Sequence, residues 1–90
     1  MAKKAIVVLA EGFEEIEAVT PIDVLRRADV DVEVVGLEAT AVTGAHGVIF
    51  QADRVLSDTE DVDAVILPGG LPWKPRKKTR ATKASIAAPP

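Results

Sequence analysis

The 90-residue sequence has no cysteine, only 3% aromatic residues and no long hydrophobic run. Without cysteine, the chain has no disulfide, thiolate metal site or cysteine nucleophile of its own. The apolar run at residues 5–10 is too short for a membrane span or for the hydrophobic region of a secretory signal. We therefore expect a cytoplasmic protein without a membrane anchor.

Several cofactor signatures are also missing. The sequence contains no G-x-G-x-x-G motif, no P-loop, and no His, Asp and Glu set at the sequence spacing of a metal site. These absences predict a chain without a cofactor or a metal. The hydrophobic fraction of 48% is too high for an intrinsically disordered chain, so a folded domain is expected.

The charges divide the chain at Gly70. All 14 acidic residues lie within residues 1–70, whereas residues 71–90 carry basic residues and no acidic one. We expect one folded region over residues 1–70, followed by a basic, solvated and mostly disordered tail over 71–90. Binding of nucleic acid through residues 74–83 is the weaker alternative, because Trp73 is the only stacking aromatic near that run.

The apolar patterns predict a parallel α/β sheet. Buried strands are expected at residues 5–10 and 63–67, and a strand with one more solvent-exposed face at 30–35. A helix is expected at 14–27, with residues 16 and 19 packed inward. Pro21 predicts a kinked single helix, with two short helices as the alternative. Asp29 is predicted to close the helix in the left-handed conformation, residues 43–47 to turn a hairpin, and residues 57–60 to open a short helical turn.

One helix cannot cover both faces of such a sheet. The first 70 residues therefore resemble the front half of a larger doubly wound domain. Ligands of open α/β sheets bind beyond the carboxyl ends of the strands. Two segments of this sequence lie at such ends: residues 11–17 after the first strand and Pro68-Gly69-Gly70 after the third.

These two segments contain the candidate site residues. Adjacent glycines can aim backbone N–H groups at an oxyanion, although Gly69-Gly70 could equally be a simple turn. Glu14 and Glu17, three apart, share a helix face and could act as acid or base, whereas Glu15 points elsewhere. Acidic residues at this position also complement the helix dipole without any catalytic role. The single histidine, His46, is interpreted as a polar turn residue.

The order of these motifs resembles the ThiJ/PfpI family of the class I glutamine amidotransferase-like superfamily. The resemblance is carried by A-I-V-V-L-A-E-G-F-E-E-I-E-A-V near the start, V-T-G-A-H-G-V in the middle and D-A-V-I-L-P-G-G-L-P after it, and it extends to about Pro72. It implies a flavodoxin-like α/β sandwich, here truncated to about its first half. Family activities include protein deglycase, glutathione-independent glyoxalase, chaperone-like holding and PfpI-type peptidase activity.

The resemblance also implies roles for residues of this chain. Glu17 matches the acid–base partner of the family's nucleophilic cysteine, and Gly69 and Gly70 match the oxyanion side. Arg26 and Arg27 match a helix end near a homodimer contact. We expect Glu17 at the edge between core and cleft, where desolvation would penalise its charge.

The chain departs from the family in lacking the cysteine, which the family carries about thirty residues beyond P-G-G. It also departs after Pro72, where a basic run replaces the family's continuation. Compared with the family, a change of reading frame or an early truncation explains this shift better than selection for a basic tail. Residues 84–89, A-S-I-A-A-P, resemble the family's cysteine motif without its cysteine but lie at half the distance, which we interpret as coincidence. The chain is therefore predicted to be catalytically inactive alone. It would pair with itself or with an intact homologue, and act on small dicarbonyl or glycated substrates only when complemented. A non-catalytic dimerising or chaperone-like fragment is the alternative.

Overall fold

The computed structural model describes residues 3–70, 80–81 and 86–87, with the backbone alone for the last two pairs. The helix and strands, in chain order, are β1 (Lys4–Leu9), α1 (Glu15–Arg27), β2 (Asp31–Gly36), β3 (Ala41–Thr43), β4 (Ile49–Gln51), β5 (Arg54–Val55), β6 (Thr59–Glu60), β7 (Ala64–Leu67), β8 (Arg80–Ala81) and β9 (Ile86–Ala87). In this part of the chain, no helix is long and apolar enough to cross a membrane.

A five-stranded sheet organises the fold, in the order β5-β2-β1-β7-β9. Every neighbouring pair in it is parallel. Val7 of β1 lies opposite Val34 of β2 on one side and Ile66 of β7 on the other. The predicted parallel α/β architecture is therefore confirmed, with β1 at the centre of the sheet.

Alternate residues of β1 enter two separate cores on opposite faces of the sheet. Ala5, Val7 and Leu9 pack on the face that carries α1 and the β3–β4 hairpin. Ile6 and Val8 pack on the other face, against residues of β2 and of the chain around β5 and β6. The prediction that the first strand is buried on both faces is confirmed.

The helix buries a different face from the one predicted. It is a single helix that continues through Pro21, but Ile16 is 80% exposed and Val19 is 47% exposed. Ala18 is buried instead, with Ile22 packed partly buried against the same core. At 100° per residue, position 16 lies opposite position 18, so both could not pack inward. The prediction that residues 16 and 19 face the core is wrong.

The connections follow the predicted turn chemistry. Asp29 adopts φ 63° after α1, as expected for the residue that closes the helix. β3 and β4 pair antiparallel with Val42 opposite Phe50, which confirms the hairpin around residues 43–47.

The predicted helical turn at residues 57–60 is wrong. Glu60 does accept a hydrogen bond from the Ser57 N–H at 2.9 Å, as in a capping box. However, residues 59–60 form strand β6. The Glu60 carboxylate, only 4% exposed, also accepts two hydrogen bonds from the Arg54 guanidinium, at 2.7 and 2.9 Å. Arg54 in turn contacts Glu33 at 2.9 Å, so this loop is organised by a buried charge rather than by helix formation.

The third predicted strand is less buried than expected. In β7 only Ile66 is buried, whereas Ala64, Val65 and Leu67 are half-buried. Within the described residues, α1 is the only helix that packs against the sheet. The expectation of a strand buried on both faces is therefore wrong for β7.

The tail contributes two short strands where the structure describes it. β8 pairs with β6, and β9 adds to the edge of the main sheet with Ile86 opposite Ile66. These four residues are extended and complete the hydrogen bonding of strands that would otherwise be edges. The rest of the predicted disordered tail, including most of the basic run 74–83, lies outside the described residues.

Candidate functional site

The candidate site lies at the carboxyl end of the sheet, where the start of α1 meets the segment after β7. Glu17 in the first turn of α1 is half-buried, and its Oε1 accepts a hydrogen bond from the Gly69 N–H at 2.7 Å. The Gly69 carbonyl accepts a second bond at 2.7 Å from the Glu14 N–H. Gly69 is therefore held by α1 through both of its backbone polar groups.

Position 70 accommodates only glycine. It forms an antiparallel bridge with Phe13 and has φ 153°. A Cβ added there would collide with the carbonyl oxygen of Gly12 and lie 2.9 Å from the Cα of Phe13. Only glycine allows the P-G-G corner to approach the β1–α1 loop this closely.

The β1–α1 loop is anchored by the hairpin. Phe13 is fully buried and its ring meets Phe50 edge-to-face, with centroids 4.9 Å apart. The Gly12 N–H donates to the Thr43 carbonyl at 2.8 Å, and the Ala45 N–H donates to the Phe13 carbonyl at 2.8 Å. These contacts fix the start of α1, and therefore the position of Glu17 relative to Gly69.

An apolar groove of about 820 Å³ lies beside Glu17. It runs between α1 and the amino-terminal ends of β1 and β7, and its lining includes Ile16, Thr20, Pro21, Val24 and Ala64. The helix face that lines this groove is the one that the sequence analysis assigned in part to the core.

A second polar cluster lies at the start of α1 and involves the histidine. The Nδ1 of His46 is 3.0 Å from Glu15 Oε1 and 3.8 Å from Glu14 Oε1. The Glu15 Oε2 accepts hydrogen bonds from the backbone N–H groups of His46 at 2.8 Å and Val48 at 3.3 Å. This carboxylate thus ties the hairpin loop to the helix.

These contacts shift two pKa values in opposite directions. Burial alone would raise the pKa of Glu15, but the hydrogen bonds from the ring and backbone of His46 and from the backbone of Val48 outweigh it and lower the pKa to about 2. The hydrogen bond to Glu15 raises the pKa of His46, and the charges of Glu15 and Glu14 raise it further. The pair therefore favours imidazolium beside carboxylate.

The structure brings together two of the predicted site elements and separates a third. Glu17 meets the Gly69-Gly70 corner, as the sequence reasoning expected. Glu14 does not share the environment of Glu17, because its carboxylate faces His46. The Gly69 N–H donates to Glu17, and the oxyanion-side role expected for Gly69 and Gly70 stays a prediction.

Sequence reasoning missed the contact between Glu15 and His46. His46 does lie in a turn, as predicted, but 31 residues separate it from Glu15. No local spacing pattern connects the two. The only available signal was the hairpin itself, which returns the chain to the start of α1.

Comparison with known proteins gives consistent matches. The family model described as the DJ-1/PfpI family matches residues 3–86. Protein DJ-1 homolog B of Arabidopsis thaliana is 47% identical over 73 residues, which are 78% of this chain and 17% of that protein. The Parkinson disease protein 7 homolog of Danio rerio is 44% identical over 73 residues, or 77% of this chain and 39% of that protein. The chain spans less than half the length of these relatives.

Solved structures agree with the sequence matches. The chain is similar to Drosophila melanogaster DJ-1beta with a TM-score of 0.72 and 45% identity, and to oxidized Toxoplasma gondii DJ-1 with a TM-score of 0.75 and 42% identity. Both matches cover 79% of this chain and 40% of the other. They confirm the expected family resemblance and a part of its flavodoxin-like α/β fold. The family model extends to residue 86, whereas the two curated relatives above match over 73 residues, so the expectation that the family pattern ends at about Pro72 stays a prediction.

Proposed function

We infer, from the fact that this chain belongs to the DJ-1/PfpI family, that it supplies the acid–base half of a family-type site and lacks the nucleophilic half. The observation that carries this inference is the 2.7 Å hydrogen bond between Glu17 Oε1 and the Gly69 N–H. It orients a half-buried carboxylate at the carboxyl end of the sheet, where α/β proteins bind ligands. A carboxylate held there can accept or return a proton.

The missing half is the thiolate. Covalent attack on a carbonyl carbon needs a nucleophile, and the 90 residues contain no cysteine. We therefore propose that the chain alone does not catalyse the deglycase, glyoxalase or peptidase reactions that the family resemblance implies. A second copy would not restore them, because it also lacks cysteine. A complementing chain would have to bring the cysteine next to Glu17, and the substrates would then be small dicarbonyls or early glycation adducts.

An activity measurement tests this proposal. Purified chain is incubated with methylglyoxal as the dicarbonyl, and loss of substrate is followed against a buffer blank and against the Glu17→Ala variant. We expect no turnover above the blank in either sample. Turnover well above the blank that survives the Glu17→Ala substitution would show that the chemistry has been assigned to the wrong residues.

A second candidate function, self-association or holding of other chains, is favoured by the exposed apolar side chains. Ile16 is 80% exposed and Val24 is 54% exposed on α1, and Ile49 is 68% exposed on the hairpin. Exposed apolar surface of this kind is typical of interaction sites. We expect the chain to elute as a dimer or a larger species at micromolar concentration. Ile16→Ser should shift it toward monomer, whereas a strictly monomeric wild-type chain would contradict this candidate.

A further inference from the structure

We propose that Glu14, Glu15 and His46 form a binding site for a divalent transition-metal ion, with Zn²⁺ as the representative ion. This site is separate from the pair of Glu17 and Gly69. It does not depend on the proposed acid–base role of Glu17.

The three side chains already present their donor atoms to one point. One oxygen from each carboxylate and one ring nitrogen all lie within 4.8 Å of one another. The Nδ1 of His46 lies 3.0 Å from Glu15 and 3.8 Å from Glu14. Ligands that bind Zn²⁺ tetrahedrally at about 2.0–2.2 Å lie about 3.3–3.6 Å from one another. One ion could therefore bind all three with small side-chain movements.

The surroundings hold one of the ligands in place. Glu15 Oε2 is occupied by the N–H groups of His46 and Val48, which leaves Oε1 directed at the imidazole ring. The side chain of Glu15 is only 12% exposed, whereas that of Glu14 is 39% exposed and that of His46 is 73% exposed. The site thus has a fixed carboxylate at its base and two ligands that can adjust from the solvent side.

The charges and the donor types select the class of ion. Two carboxylates that face one imidazole supply the negative charge that a bound dication needs. One nitrogen and two oxygen donors suit Zn²⁺, Ni²⁺ or Cu²⁺ rather than Mg²⁺, which prefers oxygen donors alone. Coordination through Nδ1 displaces the ring proton, so binding should weaken as the pH falls.

The composition makes the site simple to test. His46 is the only histidine of the chain, and there is no cysteine. Any imidazole-dependent binding must therefore involve His46, and no thiolate can compete for the ion. Glu15 at the start of α1 and His46 in the hairpin are 31 residues apart, which explains why no metal-binding spacing is visible in the sequence.

The experiment is a titration of the full 90-residue chain with Zn²⁺ at pH 7, by calorimetry and by NMR of the histidine ring. We expect one ion per chain and a shift of the His46 ring resonances. His46→Ala and Glu14→Gln should each weaken binding at least about tenfold. Asp23→Asn, which changes an exposed carboxylate of the same helix, serves as the matched control and should bind as the wild type does.

Other results would overturn the proposal. One is the absence of both binding heat and a shift of the His46 ring resonances at millimolar Zn²⁺. Another is a Zn²⁺ affinity of His46→Ala equal to that of the wild type. A third is equal affinity of the wild type for Mg²⁺ and Zn²⁺. If His46→Ala does not fold, Glu14→Gln tests the site independently. This variant should fold because it keeps the backbone hydrogen bond from the Glu14 N–H to the Gly69 carbonyl. Unchanged affinity in a folded Glu14→Gln chain would exclude the three-ligand site.

Discussion

Replacing Glu17 with alanine should free the Gly69 amide. The substitution removes the acceptor of the 2.7 Å hydrogen bond from the Gly69 N–H. Leaving a buried donor without a partner costs about 1–3 kcal/mol. At about 1.4 kcal/mol per factor of ten, this cost corresponds to an increase in the exchange rate of the Gly69 amide of roughly 5- to 150-fold. Amide hydrogen exchange by NMR measures that rate without requiring cooperative global unfolding.

Two variants sharpen this measurement. Glu17→Gln keeps an acceptor oxygen but not the charge, so it should restore most of the protection of the Gly69 amide. Glu14→Ala changes a neighbouring carboxylate but keeps the backbone bond between Glu14 and the Gly69 carbonyl, and should have little effect. Equal Gly69 exchange in Glu17→Ala and in the wild type would refute the reasoning that this hydrogen bond holds the site together.

Three further predictions concern other residues. Gly70→Ala should lower the free energy of unfolding more than Gly47→Ala, measured by urea titration, because both have positive φ but a Cβ collides only at position 70. Glu60→Gln should destabilise the chain by about 1–3 kcal/mol. The Arg54 guanidinium holds the pKa of Glu60 below its ordinary 4.5. The stabilisation that ionised Glu60 provides, which the variant lacks, should therefore be full above pH 4.5 and should disappear as the pH falls through the lowered pKa. Urea titrations of both chains across this pH range measure it. Glu15→Gln should bring the raised pKa of His46 back toward 6.5, as read from the ring resonances.

Local patterns predicted the parts of the fold that local interactions determine. The apolar run at residues 5–10 predicted a buried strand, and β1 is buried on both faces because one core packs on each side of the sheet. Asp29 was recognisable as the helix-closing residue because few residues tolerate positive φ. The P-G-G corner and Glu17 were recognisable from their places after two parallel strands.

Contacts between distant segments could not be predicted in the same way. Helical spacing alone does not fix which face of α1 is buried, so Ile16 was assigned to the core although it is exposed. Residues 57–60 contain a capping-box pattern, but the Arg54 guanidinium binds Glu60 and draws the segment into a strand arrangement. The Glu15–His46 pair forms because the hairpin returns the chain to the start of α1, and no spacing in the sequence indicates this contact.

The most direct test of the central claim is complementation with a segment that carries the cysteine. A segment that follows the matched part in a DJ-1/PfpI relative, chosen because it contains a cysteine, is added to wild-type or Glu17→Gln chain, and methylglyoxal turnover is measured alongside complex formation by native mass spectrometry. We predict that both chains form the complex and that only the wild type gives turnover. A Glu17→Gln complex as active as the wild-type complex, or a wild-type complex without activity, would contradict the assignment of Glu17 as the acid–base residue.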